Sequence, residues 1–254
     1  MIKFSEFDER IFFIMSGHNK WSTIKRKKGA NDAARAKIFT KIGRELAVAV
    51  KNGGADPNNN AKLRDVIAKA KQNNVPNDNI DRMLKKAAGD ADTTNYEEII
   101  YEGYGPCGIA VVVKALTDNR NRTAGDVRHY FDKYGGNLGQ TGCVSYMFED
   151  KGVIVIDAED IDEEKIMEDA LEAGAEDISN EGDVFEITTA PNDLSAVTEA
   201  LTEKGYKFIS CEQSKIPANY VTLSGEDDLK NMNKLIEMLE ENDDVTNFWH
   251  NWEI

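Results

Sequence analysis

The spacing of apolar residues changes at Gly89, and this change limits the folds open to the chain. Before Gly89, apolar residues recur every three to four positions between Gly, Asn and Pro residues, as in short amphipathic helices. After Gly89, short apolar runs alternate with helix-like segments. The 254 residues therefore predict a helical N-terminal part followed by α/β domains.

Three helices are predicted in the N-terminal part. The first covers about residues 32–52, with a cap at Asn31 or Asp32 and an end at Gly53 and Gly54. The second covers about residues 60–73, and the third follows Pro76. Their predicted inward faces carry Phe39, Ile42, Leu46, Ala49 and Val50; Leu63, Ile67 and Ala70; and Ile80, Leu84 and Ala87.

Beyond Gly89 the pattern is that of the split βαβ unit. Strand, helix, strand, strand, helix and strand are predicted at 152–157, 163–173, 176–180, 184–189, 193–204 and 206–212. Around them, strand 108–117, helix 123–134, strand 143–148, strand 220–223, helix 229–241 and strand 245–252 complete a second unit of this kind. The predicted fold class is α+β, with an N-terminal three-helix domain followed by two ferredoxin-like α/β domains, one inserted in the other.

This order predicts the domain bounds. They are an N-terminal extension at 1–14, a basic helical domain at 15–90, a discontinuous ferredoxin-like domain at 95–149 and 218–254, and an inserted ferredoxin-like domain at 150–217.

Charge is divided unevenly along the chain. The formal net charge is -15, yet residues 15–89 carry 17 Lys and Arg against 6 Asp and Glu, a net of +11. Residues 90–254 carry 12 against 37, a net of -25. Because distant charges are screened across solvent, a polyanion near the first segment responds mainly to the local positive charge.

The cysteines and apolar runs predict a cytoplasmic protein. Cys107, Cys143 and Cys211 are widely spaced and form no CxxC pair, which suits a reducing compartment and predicts no metal site. No apolar run approaches the ~20 residues of a membrane span. We expect no membrane partner, and the sequence indicates no oligomeric state.

Catalytic motifs are missing from the sequence. It has no GxxxxGK[ST], no GxGxxG after a strand, no GxSxG and no HExxH. The prediction is a protein that is not an enzyme, with no cofactor.

The stretch SGHNKWSTIKRKKGA, residues 16–30, concentrates cations around one tryptophan and contains no acid. Two interpretations of Trp21 are open: it packs against the first helix, or it stacks on a base while its neighbours hold phosphates. On the first helix, further cations lie opposite the apolar face. The candidate nucleic-acid-binding residues are His18, Lys20, Trp21, Lys25, Arg26, Lys27, Lys28, Arg35, Lys37, Lys41 and Arg44.

A second anion site is predicted where strand 108–117 passes into the next helix. Asn119, Arg120 and Arg122 lie there, and exposed N–H groups at a helix start favour anions. The alternative is an ordinary turn in which Thr123 caps the helix.

Several motifs in order resemble those of the YebC family. They are GHNKW at 17–21, KIFTK at 37–41, GGADP at 53–57, YEGYGP at 101–106, TDN at 117–119 with NRT at 121–123, GGNLG at 135–139 and HNWE at 250–253. Departures are Asn19, Cys107 and Asn77, where the family usually has Ser, Gly and Lys. Asn77 removes one charge from the third helix, which reduces its expected contact with a polyanion.

The resemblance implies three domains, cytoplasmic nucleic-acid binding and no catalysis. Family members are described as probable transcriptional regulators, and mitochondrial relatives act as translational activators. Because residues 1–14 match nothing in the family, we expect the working protein to start at Met15 or, after methionine removal, at Ser16.

Two mechanisms remain open for the predicted function, a DNA-binding transcriptional regulator or a translation factor on the ribosome. Duplex DNA would meet the face carrying Lys37, Lys41 and Arg44, whose composition favours phosphate contact over base readout. Ribosomal RNA would meet residues 16–30, with Trp21 or His18 stacking on a base.

Overall fold

The computed structural model describes residues 32–89 and 95–253, and the surroundings of side chains from residue 36 onward. The predicted extension at 1–14 and the expected start at Met15 lie outside the described residues. No helix in the described part is long and apolar enough to cross a membrane.

The N-terminal unit consists of α1 (Asp32–Gly53), α2 (Ala61–Gln72) and α3 (Asn77–Ala88), close to the predicted bounds. Ile42, Leu46 and Leu63 are fully buried, and among the described residues their core is built from these three helices and the loop before α3. We refer to these residues, 32–89, as the helical unit.

A buried asparagine joins the first two helices. Asn60 caps α2, since its Oδ1 accepts the N–H of Leu63 at 3.0 Å. Its Nδ2 donates to the carbonyl oxygens of Ala49 and Gly54, both at 2.8 Å. One side chain therefore satisfies the carbonyl end of α1 and the amide end of α2.

Residues 97–253 form ten strands and four α-helices. In chain order they are β1 (Glu97–Tyr104), β2 (Ala110–Thr117), α4 (Arg120–Lys133), β3 (Asn137–Leu138), β4 (Phe148–Asp157), α5 (Glu163–Glu172), β5 (Asp177–Asn180), β6 (Val184–Thr189), α6 (Leu194–Glu203), β7 (Phe208–Pro217), β8 (Val221–Thr222), α7 (Glu226–Glu241), β9 (Val245–His250) and β10 (Trp252–Glu253). The chain is thus a mixed α+β protein, as predicted.

The sheet of residues 148–217 has the strand order β5-β6-β4-β7, with every neighbouring pair antiparallel. Its elements follow each other as βαββαβ, so this is the ferredoxin-like arrangement that the sequence predicts. The β4–β7 ladder extends from the pair Phe148 and Pro217 to the pair Ile156 and Phe208. The chain therefore enters and leaves this unit through two paired strands.

The other sheet has the order β3-β1-β2-β9, again antiparallel throughout. Its strand β2 is buried on both faces, between the core of α4 and α7 and a second cluster that contains Val112, Val144 and Phe148. Two predicted strands differ from the structure. Residues 143–147 form a loop with a 3₁₀ turn, and β8 pairs in parallel with β10 outside this sheet.

Strand β1 takes the central place beside β2, and the sequence-based prediction omitted it. The strand carries several acids, including Glu102, and a glycine, so it lacks the apolar run typical of a buried strand. Gly103 is needed where β3 approaches, because a Cβ there would lie 2.5 Å from the carbonyl oxygen of Asn137. The buried Glu102 accepts N–H groups from Gly142, Val144 and Ser145 at 2.8 to 2.9 Å.

Candidate nucleic-acid interface

The candidate binding residues of the first basic stretch precede the described residues. These residues lie outside the described part of the chain: His18, Lys20, Trp21, Lys25, Arg26, Lys27 and Lys28. Arg35 lies in α1, but its side chain is also outside the described part. Lys37, Lys41 and Arg44 are described with their contacts.

Lys37, Lys41 and Arg44 lie on one face of α1, as the helical spacing predicts, and this face contacts the carboxyl end of α7. The Lys37 Nζ lies 3.4 Å from the carbonyl oxygen of Glu241. The Lys41 Nζ donates to the carbonyl oxygen of Glu240 at 2.8 Å. Both lysines therefore contact another part of the same protein.

Arg44 makes two further contacts, both with residues that follow α7, and one of them is an ion pair. Its Nη1 donates to the carbonyl oxygen of Asp243 at 2.9 Å and to the Oδ1 of Asp244 at 2.7 Å. The last carbonyl oxygens of a helix have no partner within it, and that end carries partial negative charge. Because α7 has no basic residue in its last turn, α1 supplies the cations that satisfy this end.

Asp244 is buried, and it connects α1 to the start of α4. Its Oδ2 accepts from the Nη2 of Arg122 and from the Oγ1 of Thr123, both at 2.7 Å. Burial alone would raise the pKa of Asp244, but hydrogen bonds from Arg122, Thr123 and Arg44 outweigh it and lower the pKa. The carboxylate is thus ionised and held by two guanidinium groups.

The predicted second anion site is rearranged by this ion pair. Asn119 caps α4, with its Oδ1 accepting the N–H of Arg122 at 3.1 Å. The Arg122 side chain also bonds Asp118 at 2.8 Å, and both carboxylates raise the pKa of Arg122. Arg122 is therefore held by carboxylates of the protein itself, and Arg120 is the exposed cation of the predicted site.

The helical unit presents other cations to solvent that the prediction did not single out. Arg82 and Lys85, together with Lys86, are exposed on α3, and Lys71 is exposed near the end of α2. Their signal in the sequence is the polar stripe of α3 opposite Ile80, Leu84 and Ala87. Asp78 and Asp81 precede these cations, so the positive charge is concentrated in the last two turns.

A cleft lined by charged and apolar side chains lies between the helical unit and the two sheets. Its volume is about 120 Å³, and it is lined by Glu45, Val48, Lys62, Val66, Lys69, Glu98, Lys114, Leu116, Gln213, Thr246, Asn247 and Trp249. Lys69 pairs with Glu45 at 2.8 Å, and Lys114 pairs with Glu98 at 2.9 Å. The charged groups in the cleft largely neutralise one another.

Two family models together match almost the whole described chain. The TACO1/YebC protein N-terminal domain matches residues 19–90, and the TACO1/YebC second and third domain matches residues 96–252. The chain belongs to the TACO1/YebC family.

Relatives in this family carry regulatory names. A "Probable transcriptional regulatory protein" from Ruminiclostridium cellulolyticum is 61% identical over 240 residues, covering 94% of this chain and 97% of the relative. One of the same name from Finegoldia magna is 57% identical over 239 residues, covering 94% and 99%. These TACO1/YebC proteins match this chain over nearly their full length.

The fold is shared with a protein of known structure. The crystal structure of a conserved hypothetical protein from Aquifex aeolicus superposes with a TM-score of 0.79 at 45% sequence identity. The match covers 88% of this chain and 92% of that one. This TACO1/YebC chain therefore has the overall architecture of that protein.

Proposed function

We propose that this chain is a non-enzymatic, nucleic-acid-binding regulator of gene expression. The observation that carries the proposal is the charge separation, +11 over residues 15–89 against -25 over residues 90–254. A basic unit attached to a strongly acidic remainder orients an approaching polyanion, because the remainder repels it. The regulatory names of the relatives support the same class of function.

The cations of the helical unit are suited to phosphates rather than to bases. Arg82, Lys85 and Lys71 are exposed on α3 and α2. Backbone contacts of this kind set affinity and position but carry no sequence information. We therefore propose a binding mode dominated by phosphate contacts, with duplex DNA as the first candidate partner.

A ribosomal-RNA-binding translation factor is the second candidate. The observation that favours it is the position of Lys37, Lys41 and Arg44, which contact α7 and so do not form an open face for a duplex. Residues 16–30 would then make the main contact, with Trp21 stacking on an unpaired base.

Binding at increasing salt concentration tests the proposal. For six to eight phosphate contacts, log K should fall against log salt with a slope of about -5 to -7 on duplex DNA, or about -4 to -6 on single strands. The measurement is fluorescence anisotropy of labelled duplex DNA and single-stranded RNA, with ribosome cosedimentation alongside. A slope near zero on every nucleic acid, with no cosedimentation, would exclude the proposal.

A further inference from the structure

The described contact between α1 and the end of α7 consists of hydrogen bonds and an ion pair. Within the described part of the chain, the core around Ile42, Leu46 and Leu63 consists of residues of the helical unit. The described contacts of the helical unit with the other units include these α1–α7 interactions, the ion pair of Lys62 with Glu98 at 3.8 Å, and the packing of α2 on β7. Opening the described α1–α7 contact breaks only polar interactions, and polar interfaces between domains permit domain movement.

The end of α7 resembles a phosphate backbone in its chemistry. Its last residues and the short segment that follows offer α1 a row of acceptors: the carbonyl oxygens of Glu240, Glu241 and Asp243, and the carboxylate of Asp244. These acceptors carry negative charge, partial at the carbonyls and full at the carboxylate. Phosphate oxygens would take the same hydrogen bonds from the same lysine and arginine side chains.

We propose that the carboxyl end of α7 is an intramolecular competitor for nucleic acid. Lys37, Lys41 and Arg44 contact either α7 or phosphates, and the two contacts exclude each other. The structure is the closed form, in which these cations contact α7 and the residues that follow it. This inference rests on the proposed function and adds to it a mechanism that limits binding.

The contact with α7 lowers the apparent affinity for nucleic acid by an amount that depends on the fraction of molecules in the closed form. When the binding-competent form is a fraction of the total, the apparent affinity falls by that fraction. A change that opens the α1–α7 contact should therefore tighten binding, and a crosslink that fixes the contact should weaken it. Exposed cations elsewhere on the helical unit would still bind in both forms.

A pair of charge variants tests the opening. Glu241→Lys places an ammonium beside Lys37 at an exposed position, so it should open the contact without disturbing a core. The matched control is Glu237→Lys, one turn earlier on α7, which is also exposed, pairs with Lys234 and adds the same charge. We expect Glu241→Lys to bind labelled duplex DNA or single-stranded RNA about five- to tenfold more tightly than Glu237→Lys.

A covalent crosslink tests the closed form directly. Lys37→Cys with Glu241→Cys, in a Cys107→Ser background because Cys107 is the exposed natural thiol, would be joined by a short bismaleimide. We expect the crosslinked protein to bind at least about tenfold more weakly than the same variant without the reagent. Thermal unfolding of both forms shows that each remains folded.

The outcomes separate the two proposals. If the crosslinked and uncrosslinked proteins bind with equal affinity, the end of α7 is not a competitor, whatever the charge variants show. The proposed function would be unaffected by that result. Failure of residues 37 and 241 to crosslink would contradict the closed form. If neither the wild type nor any variant binds nucleic acid or ribosomes, the proposed function fails, and the competitor with it.

Discussion

The guanidinium of Arg44 lies 2.7 Å from the carboxylate of Asp244, a residue 200 positions further along the chain. Arg122 reaches the other oxygen of that carboxylate, also at 2.7 Å, and Tyr96 lies against Arg44 with its ring 5.7 Å away. One buried acid thus joins the first helix of the helical unit to the sheet that contains β2 and β9.

Replacing Asp244 tests the strength of this junction. Removing one partner of a buried ion pair costs roughly 3 to 5 kcal/mol. Because both arginines are partly exposed, we expect Asp244→Asn to lower the free energy of unfolding by about 2 to 3 kcal/mol. Urea unfolding measures it. Asp118→Asn, which removes the exposed carboxylate on Arg122, should cost less than about 1 kcal/mol, and equal losses would contradict a special role for Asp244.

Acid should weaken the fold through two carboxyl groups. The folded pKa of Asp244 is lowered as described above, and the pKa of Glu102 is lowered because three backbone N–H groups outweigh the raising effect of its burial. Both groups therefore stabilise the fold above the unfolded pKa of about 4, and this stability is lost as pH falls through their folded values. Urea unfolding from pH 6 to pH 3 should show the loss, with a shallower decline for Asp244→Asn.

Glu102 should control the loop that follows β3. Glu102→Gln places an amide where Gly142, Val144 and Ser145 donate, so at least one buried N–H loses its acceptor at a cost of about 1 to 3 kcal/mol. Hydrogen exchange of these three amides should speed up. The control is Glu98→Gln on the same strand, whose side chain is 42% exposed, and similar exchange rates in both variants would argue against this role of Glu102.

The exposed cations of α3 should contribute to nucleic-acid binding. Replacing Arg82 and Lys85 by Gln should reduce the steepness of the salt dependence by about 2, because each phosphate contact contributes about 0.9 on duplex DNA. The control is Lys207→Gln with Lys230→Gln, which removes two exposed cations from the acidic part of the chain. An unchanged slope of log K against log salt in the α3 variant would show that the interface lies elsewhere.

The tryptophan of residues 16–30 should separate RNA from DNA. Stacking on one base contributes roughly 1 to 3 kcal/mol, so Trp21→Ala with Lys27→Ala should abolish ribosome cosedimentation if RNA is the partner, and leave duplex DNA binding nearly unchanged. The melting temperature should stay at the wild-type value. If the variant unfolds, Trp21 is a packing residue, and the stacking interpretation is wrong.

The sequence by itself determined the local elements and the distribution of charge. Caps, Gly and Pro placed α1, α2 and α3 within a few residues of their bounds, since these signals act over one helical turn. The order of strands and helices was enough for the βαββαβ unit of β4 to β7, because sequential elements of this pattern have few ways to pair. It also showed that Lys37, Lys41 and Arg44 share a face.

Only the tertiary structure decided what that face meets. Helical periodicity groups side chains on one side of a helix, but it does not indicate that the end of α7, about 200 residues away, lies against them. The centre of the second sheet was likewise decided at long range. Glu102 on β1 accepts the N–H groups of Gly142, Val144 and Ser145, and the last two lie in a loop where the sequence predicts a strand. Strand β1, which the sequence-based prediction omitted, pairs with β2. Buried polar groups must find partners wherever the fold offers them, and those partners are set by contacts that no local pattern contains.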